Sequence, residues 1–177
     1  NTITYGTEAT ITSTGVHTVR AVYDEVQQAT IVFWNDNDTS TGKCVAITLD
    51  SSGSATVGSS STYNSSSTVY AGVSYAQGVG TVIAYEISGG DFKSRVVTVS
   101  GTTLTLGAEV TISTNDAVYT SVAYDTTNSK IVVTYNDSSN GYYPTYAVAS
   151  ISGTSITYET PVVFISSATP RQFNDHA

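Results

Sequence analysis

One phrase of this chain recurs. The stretch SVAYDTTNSKIVVTYND at 121–137 matches RAVYDEVQQATIVFWND at 20–36 without a gap, so that Tyr124, Asp125, Tyr135, Asn136 and Asp137 fall on Tyr23, Asp24, Trp34, Asn35 and Asp36. Between them, GVSYAQGVGTVIAYEI at 72–87 keeps the aromatic places with Tyr75 and Tyr85 and has a turn one residue shorter. A period of about 50 residues marks a tandem architecture in which each copy buries its apolar faces against its neighbours. Any fold proposed for the chain has to be one that can be built from such copies.

The copies divide into short apolar/polar alternations separated by Gly, Asn, Asp and Ser, the pattern of strands and turns. The third copy gives YTSVAY, KIVVTY, PTYAVASI and SITYETPVVF. The second gives VYAGVSY, TVIAY, SRVVTV and TLTLGAEVTI, and the first gives TVRAVY, TIVFW, KCVAITL and a degraded fourth run, SATVGSSSTY. Ser, Thr, Val, Ile and Tyr dominate while the best helix formers are scarce, so an all-β chain is expected. A four-stranded antiparallel unit at this period is the sign of a β-propeller blade. A stacked β-solenoid is the alternative, because it too buries repeats against one another.

The expected boundaries are repeat 1 at 13–65, repeat 2 at 66–113 and repeat 3 at 114–165, with a tail or linker at 166–177. ITYGTEATI near the start matches LTLGAEVTI and ITYETPVVF, so 1–12 reads as an orphan outer strand of a preceding or closing blade. Closed propellers have about four to eight blades. Three units and a spare strand imply a partial propeller, either a piece of a longer repeat protein or one completed by other copies.

Six Lys and Arg against fourteen Asp and Glu give a net charge of −8, which argues against nucleic-acid and anionic-membrane partners. No apolar run approaches the roughly 20 residues of a membrane span, so no membrane insertion is expected. The lone cysteine, Cys44, lies in the alternation KCVAITL and reads as a buried structural thiol. Trp34, Tyr85 and Tyr135 share one strand place and Tyr23, Tyr75 and Tyr124 another, which suits packing between units.

Repetition should place the loops between the second and third strands on one edge: NDNDTSTG, ISGGDFK and NDSSNGYYP. Asp36, Asp38 and Asp137 are candidate oxygen ligands for calcium, which takes about six to eight of them, although the full EF-hand pattern is missing. No other cofactor is indicated. Tyr142 and Tyr143, with Asn140 and the aspartates beside them, are candidates for stacking on sugar faces and bonding sugar hydroxyls. The competing reading is that Asn, Asp, Gly and Ser are there to turn the chain. An enzyme is not expected: the two histidines, His17 and His176, stand in no nucleophile motif, and neither G-x-S-x-G nor H-E-x-x-H occurs.

The phrases ISGTSITYETPVVFISS at 151–167 and SVAYDTTNSKIVVTYND resemble repeats of virion structural and fibre proteins of tailed phages, over about residues 1–165. The resemblance is weakest at 50–68, where the Pro-Val-Val-Phe signature is lost. It implies a propeller-like architecture at a virion surface or in an extracellular setting, with other copies or other virion proteins as partners and host-surface polysaccharide as a further one. The function expected on this basis is a non-catalytic structural and host-attachment module. A secreted or cell-surface adhesin binding polysaccharide and a purely architectural spacer are the alternatives.

Overall fold

A computed structural model describes residues 8–166. Fifteen strands and one 3-10 turn make up the regular structure of this segment, with no α-helix among the described residues. The first copy supplies β1 (Val16–Asp24), β2 (Ala29–Asp36), β3 (Thr41–Leu49), β4 (Ala55–Val57) and β5 (Ser61–Asn64). The second supplies β6 (Thr68–Ala76), β7 (Gly80–Ile87), β8 (Phe92–Ser100), β9 (Thr103–Leu106) and β10 (Val110–Ser113). The third supplies β11 (Ala117–Asp125), β12 (Lys130–Asp137), β13 (Tyr143–Ser152), β14 (Ser155–Tyr158) and β15 (Val162–Val163), with the 3-10 turn Ser138–Asn140 between β12 and β13. Each copy forms its own antiparallel sheet, and every sheet has the same order.

The fourth run of each copy is not one strand, as the alternation suggested, but two short ones that both pair with the third strand. The break falls at Gly58, Gly107 and Glu159, whose N–H groups donate to Ala46, Val96 and Val148 at 2.8–2.9 Å. The run SATVGSSSTY follows the same plan as the others despite its composition. At the N-terminal end, Glu8–Ile11 are not in a strand, and the rest of the expected orphan strand lies outside the described residues. The tail from 167 onward lies outside them too.

The sheets pack face to face: β7 of the second sheet is buried on both faces, whereas β12 of the third alternates between buried and half-buried. Between the first and second sheets, Ala29, Ile31, Phe33, Cys44, Ala46 and Tyr63 meet Ile83, Tyr85, Val97 and Val99. Between the second and third, Val82, Ala84, Phe92 and Val96 meet Ile131, Val133, Tyr135, Ala147 and Ala149. Tyr63 stands edge-on to Phe33 at 5.8 Å and to Tyr85 at 5.1 Å, so one ring clasps both sheets. Trp34, Tyr85 and Tyr135 are buried, whereas Tyr23 is 54% exposed and is not the inter-unit packing residue that its repeat position suggested. Burial pushes the Cys44 thiol up to about 12, so it packs as a small apolar group.

Glycine at the break has a steric reason. A Cβ on Gly58 would overlap the carbonyl oxygen of Thr102, in the β8–β9 turn, and one on Gly107 would overlap that of Thr154, in the β13–β14 turn. The kinks of the first and second units thus each receive the hairpin turn of the next. The equivalent place in the third unit is Glu159, whose side chain is exposed and within 3.7 Å of the Lys130 ammonium.

Candidate functional site

The hairpins joining the second and third strands come to one end of the assembly. Each is tied to the lead-in of its first strand by an equivalent bond: Asn37 N–H to Gly15, Ser88 N–H to Ser67 and Ser138 N–H to Asp116, at 2.9–3.0 Å. β6 lies beside both β1 and β11, so the three lead-ins run side by side at that end.

The acidic candidates there turn the chain. Asp36 Oδ1 accepts from the backbone N–H of Asp38 and Thr39, and its Oδ2 accepts from the Thr14 hydroxyl. The Thr39 backbone bond, foremost, holds the Asp36 carboxyl below the usual range. Asp137 repeats this arrangement, accepting from Ser139 N–H at 2.8 Å, Ser139 Oγ at 2.6 Å and Ser113 Oγ at 3.2 Å. Asp38 is exposed in the turn that Asp36 closes. Asp36 and Asp137 belong to the first and third sheets, so the second sheet stands between them. No group of three His, Cys, Asp or Glu side chains is placed to hold a metal among the described residues.

The other sugar candidates are similarly engaged. Asn140 accepts from Tyr143 N–H at 2.8 Å and donates to Thr145 Oγ1 at 2.9 Å. Tyr142 donates its N–H to the Asp137 carbonyl from a left-handed backbone, φ 64, while Tyr143 opens β13 half-buried. The structure therefore gathers Asp137, Asn140, Tyr142 and Tyr143 into one hairpin and leaves Asp36 and Asp38 in another.

A second feature of the same end was not foreseen. In all three sheets the ladder between the first two strands slips at one place: His17/Arg20, Thr68/Ala71 and Val118/Ser121. Such bulges bend a strand and re-aim its side chains. At equivalent positions they carry Thr18, Tyr70 and Tyr119, and Thr18 and Tyr119 have φ values of 55 and 56. Tyr70 and Tyr119 are 38% and 42% exposed, and their ring centroids lie 5.9 Å apart at a tilt of 56°. A signal was available in the sequence: both follow a valine and both stand five residues before the repeat tyrosine, in VYAGVSY and VYTSVAY. Strict two-residue alternation hides it, because the extra residue of a bulge shifts the face on which a side chain emerges.

Beneath this surface the units are clasped differently. Between the first two, Asn35 Oδ1 accepts from Thr68 N–H at 2.7 Å, and Asn35 Nδ2 donates to His17 Nε2 at 3.1 Å. With the His17 proton on Nδ1, the chain continues to Thr18 Oγ1 and from that hydroxyl to the Val69 carbonyl. The second sheet has Glu86 in the place of Asn35. Glu86 is 4% exposed, its Oε2 has no hydrogen-bond partner, and burial followed by repulsion from Asp116 raises its carboxyl to about 7.

No family model, curated protein or solved structure matches the chain.

Proposed function

We propose that this chain is a non-catalytic attachment module of a virion appendage such as a phage fibre, its three sheets being consecutive blades of a β-propeller. The blade reading is supported by the way the sheets fan from their first strands: β6 touches both β1 and β11, and the kinks of the first two units each accept the next unit's hairpin. Evenly stacked solenoid sheets would approach one another as closely at their outer strands as at their first, whereas here the approach is closest at the first strands.

The observation that carries the attachment reading is the repetition of one surface. Equivalent hairpins and bulges from every unit stand side by side at one end, the first and third turns held by their own aspartates and the second by backbone bonds between Ile87 and the Gly90 and Asp91 that follow it. Contacts of modest strength, repeated along such a surface and among copies in an appendage, multiply into useful avidity.

Adsorption to immobilised surface polysaccharide extracted from bacteria, with and without a chelator, tests the reading. Specific retention is expected, and it should be unchanged by chelator because the Asp36 and Asp137 carboxylates are engaged in turns. Absence of retention by protein shown to be folded would replace attachment with the role of a spacer.

A further inference from the structure

We infer that Tyr70 and Tyr119 form a stacking platform for a neutral saccharide, an inference that rests on the attachment reading and names its ligand class. The fold does not require aromatics there. The first unit makes the same bulge with Thr18, whose hydroxyl bonds the Val69 carbonyl at 2.8 Å, so a small polar residue satisfies the position. Tyr119 is a bulky side chain on a left-handed backbone, a conformation uncommon for such residues and costly by about 1 kcal/mol or more. Two units nonetheless place a tyrosine at this position, and the two rings meet across the β6–β11 seam with much of their surface open to water.

The chemistry of this surface selects the ligand. Tyrosine rings offer flat apolar area to the C–H face of a pyranose, and their hydroxyls can bond its hydroxyls. Two rings tilted at 56° suit successive sugars of a twisted chain better than one flat ring system. Charge disfavours acidic glycans: the chain carries −8 overall, and Arg20, beside this surface, donates to the Val19 and Ala71 carbonyls. The apolar side chains Val16 and Val19, both exposed on β1, extend the same edge into the first unit.

The test is affinity electrophoresis of the full chain through gels containing dextran, a β-glucan, a galactomannan or, as the polyanion, alginate. Retardation is expected in at least one neutral polysaccharide and not in alginate. Tyr70→Ala and Tyr119→Ala should each weaken it roughly tenfold, whereas Tyr70→Phe and Tyr119→Phe should keep most of it. Tyr23→Ala, an exposed tyrosine at the opposite end, should change nothing, and thermal melts of all variants establish that they are folded. Retardation by a neutral gel that persists in both alanine variants would overturn the platform and leave the attachment reading standing. Retardation by alginate alone would overturn the neutral class. Absence of retardation in every gel, together with retention on extracted bacterial polysaccharide, would also overturn the inference; absence of both would overturn the attachment reading with it.

Discussion

Glu86 should make this protein more stable as the solution is acidified from neutral, against the usual behaviour of carboxylates. It occupies the position where the first sheet has Asn35, is buried with one oxygen unpartnered, and faces Asp116. Its carboxyl rises from 4.5 to about 7 on folding. A group raised in the folded state contributes stability fully below its unfolded value and loses that contribution as pH rises through the folded value. At 1.36 kcal/mol per pH unit, ionised Glu86 costs up to about 3 kcal/mol on the alkaline side. Glu86→Gln removes the titration and restores the kind of amide used by the other clasp. Urea unfolding of both proteins between about pH 5 and 8 isolates the effect, because the background of other charges is common to the two. The variant should be more stable by about 2 to 3 kcal/mol at the alkaline end, and the two curves should converge toward the acid end. Parallel curves would mean instead that Glu86 reaches water or a cation when ionised and carries no burial penalty.

Four further outcomes follow from the geometry. Gly107→Ala should destabilise by about 1 to 3 kcal/mol in chemical unfolding, because its Cβ would meet the Thr154 carbonyl, while Glu159→Ala at the equivalent exposed place should change stability by less than about 0.5 kcal/mol. Tyr135→Phe should be neutral or stabilising by up to about 1 kcal/mol in the same assay, because the buried hydroxyl has no partner. Glu109→Gln should cost about 1 to 2 kcal/mol near neutral pH, since Glu109 accepts from Tyr85 and Lys93 at 2.7 Å. Burial opposes ionisation of Glu109, but those bonds outweigh it and its carboxyl is lowered, so its contribution should fade as pH drops through that lowered value.

The sequence was most legible where one rule governs. Alternation within each copy located the strands, and the shared place of Trp34, Tyr85 and Tyr135 identified a buried position, which in Tyr85 and Tyr135 is an inter-sheet contact, because a side chain's face is set by counting in twos. The fourth run escaped that rule. Gly58 and Gly107 break it for a neighbour's carbonyl that no local pattern reveals, and Tyr63 looked like part of a degraded stretch although it seals the first interface. Asp36 and Asp137 were correctly placed in equivalent hairpins, but their bonds to Thr14 and Ser113, more than twenty residues away, were out of reach of local reading. The exposed tyrosine pair depends on two slips of register and on the meeting of two copies, neither of which periodicity encodes.

The saccharide-facing surface proposed at the hairpin end of the sheets can be mapped residue by residue. Backbone amide shifts recorded while the retained polysaccharide's oligomers are titrated into isotopically labelled protein provide that map. Changes should concentrate at 69–72 and 118–121, with smaller ones in the 138–143 hairpin. Changes clustered instead around the Asp24 and Asp125 turns, at the opposite end, would contradict the proposed surface.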